Sequence, residues 1–191
     1  MNPGAALTLA SAAFLERVAQ LAGPDWTRPT PCEGLDVQGV VNHVVAGNLF
    51  AVRLLRGSSA VAALDGLDGD LLGTAPLQVA RGSCDEQTAA FESVLDLDSV
   101  FVHHPAGDIT VREFFRFRLG DLTVHSWDVA RGAGLDEQLD SSLVAALWIL
   151  VQPATTWMAS TGSFGDGASV TLDDEASPQT RLLDAFGRRQ I

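Results

Sequence analysis

The amino-acid sequence predicts an all-α fold, a helical bundle built as one domain over residues 1–191. Stretches with apolar residues at helical spacing follow one another along the chain, each bounded by capping or breaking residues. Strand-like character is confined to one short segment. No fixed-period repeat and no long biased linker divides the chain, whose length fits one domain of roughly 50 to 250 residues.

The first helix is expected over Ala6 to Leu21, where Phe14, Leu15, Val18 and Leu21 recur on one face and Gly23-Pro24 stops it. Pro24 to Gly34 carries three prolines and reads as an extended loop. Asp36 then caps a long helix from Val37 to about Arg56, with Val37, Val40, Val41, Val44, Val45 and Val52 forming a stripe. Gly57 to Gly82 is rich in Gly, Ala and Asp and is expected to be loop with at most a short helical turn.

Ser83 and Glu86 have the spacing of a capping box and should open a helix carrying Phe91, Val94 and Leu95. Ser99 to His104 is strand-like and ends in the turn signal Pro105-Ala106-Gly107-Asp108, so a minor hairpin fits here. Thr110 and Glu113 repeat the capping-box spacing and open a second long helix, Val111 to about Arg131, stopped by Gly132 and Gly134. A further helix follows Asp140 with Leu143, Ala146, Leu147, Leu150 and Val151; Ser160 to Gly167 reads as loop; and Ser177-Pro178 begins a last short helix.

Composition excludes several functions. A net charge of −12 and twelve arginines with no lysine argue against binding a phosphate backbone, so no nucleic acid is expected as partner. The longest strongly apolar run, Leu143 to Val151, is far short of the roughly 20 residues that span a bilayer, so no membrane is expected either. The N-terminus has no basic region preceding an apolar one, and Cys32 and Cys84 make no disulfide framework, so a cytoplasmic protein with reduced thiols is expected.

Four histidines are present: His43, His103, His104 and His125. Asp121 and His125 are four residues apart on a predicted helix, which puts both on one face within reach of a common ion. His43 lies on the other long helix, and Gly47 one turn further on removes a side chain and leaves space beside the imidazole. If those helices pack together, two imidazoles and one carboxylate suit zinc, nickel or another first-row divalent ion and leave coordination positions open. The bland readings are a surface contact for Asp121/His125 and a hydrogen-bonded core residue for His43.

Other residues carry weaker signals. His103 and His104 are adjacent on a strand and point opposite ways. Cys32 is as well explained by packing as by thiolate chemistry, and Cys84 has still less support. Asp128 either orients His125 or pairs with Arg131, the pairing being preferred. Arg118 either pairs with Asp121 or faces an anionic substrate, and Asp65, Asp68 and Asp70 read as a solvated acidic loop rather than a calcium site.

Three stretches resemble a known family. Thr30-Pro31-Cys32-Glu33-Gly34-Leu35-Asp36-Val37 leading to His43 resembles a T-P-C-x-x-W-x-V…H segment. Asp121-Leu122-Thr123-Val124-His125-Ser126-Trp127-Asp128-Val129-Ala130 resembles a [DE]-x-x-x-H-x-W-D-L-A segment, and Ser177 through Arg189 resembles the ending of short members. Both segments are those of the DinB-like superfamily, in the actinobacterial group related to the N-terminal domain of mycothiol-dependent maleylpyruvate isomerase. The resemblance implies a DinB-like four-helix bundle with additional short helices, a metal held at His43, Asp121 and His125, and a homodimer.

Leu35 stands in place of the usual Trp, and Asp121 where the isomerase has Glu. No counterpart of the second domain through which the isomerase handles substrate is expected within these residues, so isomerisation of maleylpyruvate is not carried over. The function expected is a metal-dependent thiol transferase or isomerase acting on a small electrophile, with mycothiol as cosubstrate. The alternatives are a non-catalytic metal or small-molecule binding module and a metal-dependent hydrolase.

Overall fold

The computed structural model describes residues 3–105, 107–156, 158, 168–169, 172–173 and 175–189. The chain forms α1 (Pro3–Gln20), a 3-10 turn (Gly23–Thr27), α2 (Val37–Leu55), α3 (Ala60–Leu64), α4 (Pro76–Glu92), β1 (Phe101–His104), β2 (Gly107–Thr110), α5 (Val111–Ala133), α6 (Ser141–Val151) and α7 (Pro178–Ala185). The fold is mostly α, as the sequence predicts, and DinB-like. The loop expected over Ser160 to Gly167 lies outside the described residues.

Four helices enclose the core. α1 packs on α4 and α5, and α2 packs on the same two, so the helices form a closed ring in the order α1, α4, α2, α5. The valine stripe of α2 is wholly buried at Val37, Val40, Val41, Val44 and Val45, and it meets Phe14, Leu119, Leu122 and Trp127 in one continuous core. The packing of α2 against α5 is what brings His43 to Asp121 and His125.

The caps act where the residue pattern places them. Asp36 accepts from the Gly39 amide and opens α2. Thr110 and Glu113 form the reciprocal box that opens α5. At its other end α5 closes at Gly134, whose φ of 72° suits a residue without Cβ. Gly132 does not stop the helix. It lies inside α5, where an added Cβ would come 2.9 Å from Val37 Cγ2 and 3.0 Å from the Pro29 carbonyl, so it lets the Pro29–Asp36 loop press on α5.

The expected start of the helix that carries Phe91 is corrected. α4 begins at Pro76, within the predicted loop, because Pro at the first helical position preorganises the turn and Ala80, Cys84, Gln87 and Phe91 give it a buried face. Ser83, read as its cap, is inside it and buried, its hydroxyl donating to the Ala80 carbonyl. The helix ends at Glu92 and does not carry Val94 or Leu95, and Leu95 is fully exposed. The hairpin near His103 is present, pairing Phe101 with Thr110 and His104 with Gly107. No helix among the described residues is long and apolar enough to cross a membrane.

Candidate metal centre

His43 stands in the second turn of α2, and Asp121 and His125 stand one turn apart in the middle of α5. Asp121 Oδ1 lies 3.3 Å from His43 Nε2 and 3.3 Å from His125 Nε2. The imidazoles meet edge to face with centroids 4.9 Å apart, and all three donor atoms fall within 4.8 Å of one another. Ligands about 2.1 Å from one ion, at angles between tetrahedral and octahedral, lie about 3.0 to 3.4 Å apart. The two separations to Asp121 Oδ1 fall inside that interval, and the chemistry of the set, two imidazoles and one carboxylate, suits a first-row divalent ion.

Each donor on α5 is held from behind. His125 Nδ1 is 2.9 Å from Asp128 Oδ2. A carboxylate only accepts, so the proton sits on Nδ1, and a neutral ring then turns its Nε2 lone pair toward Asp121 and His43. Asp128 is itself fixed by Arg188 of the C-terminal segment, which donates through Nε at 3.1 Å and Nη2 at 2.8 Å. The preferred expectation that Asp128 pairs with Arg131 is therefore corrected: Arg131 donates to Glu137, on the far side of the helix end.

Arg118 pairs with Asp121 as the sequence allowed, Nη1 donating to Oδ2 at 2.9 Å. Its Nε donates to Gln87 Oε1 at 2.7 Å and its Nη2 to Asn48 Oδ1 at 2.9 Å, so three helices fix one guanidinium. Gly47 has a different use from the one expected. A Cβ there would come 2.3 Å from Arg118 Nη1, so the missing side chain makes room for the guanidinium.

Burial alone would lower the pKa of His125, but Asp121 and Asp128 outweigh it and raise it to about 9. Burial likewise opposes ionisation of Asp121, yet Arg118 and His125 hold it well below the usual carboxylate range. Asp128 is also held low against its burial, by His125 and Arg188. The result is an alternating chain of charges, Arg118, Asp121, His125, Asp128, Arg188, running through the bundle.

Beside the donors opens a cavity of about 650 Å³ lined by Phe50, Val61, Leu64, Asp65, Asp68 and Arg118 together with His43 and Asp121. The remaining candidates fall elsewhere or behind this site. His103 pairs with Asp108 at 2.7 Å on the exposed face of the hairpin, while His104 turns inward among Phe50, Phe114 and Phe117, where burial lowers its pKa. Cys84 is buried in the core. Cys32 lies on the Pro29–Asp36 loop, pinned by Thr30, whose hydroxyl donates to the Leu35 carbonyl and accepts from the Cys32 amide. Its sulfur comes within 4.8 Å of donor atoms of His125 and Asp128, and burial pushes its pKa up.

Sequence reasoning named the three side chains that the structure brings together and missed Asn48, Gln87 and the contact of Arg188 with Asp128. Asn48 and Gln87 had a usable signal, since each falls on the buried face of its helix, where an amide needs a partner. Residues 7–130 match the family described as mycothiol maleylpyruvate isomerase N-terminal domain. Two uncharacterised proteins of Mycobacterium tuberculosis, from strains CDC 1551 and H37Rv, are each 29% identical over 158 residues, 80% of this chain and 81% of the relative. No solved structure matches the chain.

Proposed function

The chain belongs to the mycothiol maleylpyruvate isomerase N-terminal domain family, and from that premise we propose that it is a metal-dependent enzyme of thiol chemistry. It would use a small thiol of the mycothiol type as cosubstrate and act on a small electrophile by transfer or isomerisation. The observation that supports this reading best is the placement of Asp121 Oδ1 at 3.3 Å from both His43 Nε2 and His125 Nε2.

His43, Asp121 and His125 would hold the ion, zinc first among the candidates and nickel next. When bound, such an ion supplies positive charge that favours the thiolate over the thiol at neutral pH. The chain's own groups set the geometry. Asp128 keeps the His125 proton on Nδ1, Arg118 occupies Oδ2 of Asp121 so that Oδ1 alone faces the imidazoles, and the three-donor set leaves room for a small molecule on the cavity side.

The test is metal analysis of the purified chain beside His43→Ala and His125→Ala, followed by assays of the metal-loaded chain with mycothiol and a panel of electrophiles. About one ion per chain is expected, lost in both variants, with metal-dependent consumption of thiol. Stoichiometric metal in both variants would overturn the site. Metal without turnover would leave a binding module, and turnover without thiol a hydrolase.

A further inference from the structure

The lining of the cavity beside His43 holds apolar and acidic residues. Part of the lining is apolar: Phe50, with Val61 and Leu64 of α3 left 83% and 50% exposed although both are large hydrophobic side chains. Such exposure at the edge of a cavity marks a surface that a ligand covers. The lining also includes Asp65 and Asp68, on the segment that follows α3. Both are exposed, and neither is in an ion pair among the described residues.

The cations nearby are already engaged. Arg118, the one cation among the residues that line the cavity, directs its bonds inward to Gln87, Asn48 and Asp121. Arg53 donates to the backbone carbonyls of Ala63 and Asp65, which ties the α3 segment to α2 without using the Asp65 carboxylate. Among the charged residues of the lining Arg118 balances Asp121, and Asp65 and Asp68 leave the lining net negative, so a carboxylate-bearing molecule entering it meets like charge.

We infer that this cavity takes a small molecule with an apolar body and a positively charged amine. The amine meets Asp65 and Asp68, and the body lies along Phe50, Val61 and Leu64 toward His43 and Asp121. The inference names the substrate class of the site proposed above and rests on that reading for its catalytic meaning. Its binding test is independent of the metal.

The test compares 4-phenylbutylamine, 4-phenylbutanol and 4-phenylbutyrate, which share one apolar body, on the full chain stripped with chelator. Binding is followed through the backbone amide NMR shifts of Val61 and Leu64. The amine is expected to bind roughly fivefold more tightly than the alcohol, the carboxylate more weakly than either, and the preference to shrink as salt is raised. In an Asp65→Asn/Asp68→Asn variant the amine preference should vanish while zinc uptake stays that of the parent.

Carboxylate binding equal to or tighter than the amine would overturn the inference, by making Arg118 an anion seat. So would a preference that survives the double variant, loss of zinc uptake in that variant, or no shift at Val61 and Leu64 with any of the three. A parent chain that takes up no zinc yet prefers the amine would sink the metal reading alone.

Discussion

The two carboxylate oxygens of Asp121 face different partners, Oδ1 toward the imidazoles and Oδ2 toward Arg118, and this division fixes the protonation of the site. His125 has its folded pKa raised from 6.5 to about 9, so its contribution to stability is fully present below pH 6.5 and is lost as pH rises through about 9. Asp121 and Asp128 are shifted the other way, and their contribution is present above the ordinary carboxylate range and lost as pH falls through their depressed values. The chelator-stripped chain should therefore show a Tm that declines between pH 6.5 and 9, measured by thermal scans across that window. Metal affinity should change in the opposite sense over the same range, because an ion competes with the proton for Nε2 of His125. A Tm that stays flat from pH 6.5 to 9 would contradict the charge pattern.

Helices α2 and α5 approach closely because glycines stand where they and their neighbours meet. Gly47→Ala would put a methyl group 2.3 Å from Arg118 Nη1 and push the guanidinium off Asp121. The expected cost is about 2 kcal/mol in urea unfolding, together with weaker zinc binding by calorimetry. A variant with parental affinity would show that Arg118 does not hold the carboxylate. The helices themselves were legible: Asp36 and the Thr110/Glu113 box are local signals, and the valine stripe of α2 needs only its own spacing to be read. The start of α4 was not, because Ser83 and Glu86 match a capping box whether or not a helix has already begun. What decides is Pro76 and the burial of Ala80 and Cys84, and that burial depends on neighbours no local window contains.

Across the whole molecule the site gathers groups from α2, α4, α5 and the C-terminal segment. The Asp121/His125 pair was visible as an i,i+4 spacing, whereas Arg188 lies 60 residues from Asp128 and its role exists only once the segment after α7 packs back on α5. Phe186 anchors that return: a Cβ at Gly120 would come 2.7 Å from its ring, so the glycine is the seat of the phenyl group. Arg188→Met should leave the helices intact by circular dichroism yet weaken zinc binding about tenfold, through a less firmly held Asp128. An unchanged affinity would confine Arg188 to packing. The donor set is also uneven in its access to water, since the His43 side chain is 50% exposed and that of His125 is 8% exposed. An ion seated there would have a front and a back. Competing chelators would reach it from the α2 side, so the exchange rate would answer to how readily His43 swings away, while Asp121 and His125 would keep their place on α5 as a two-toothed receptor for the next ion.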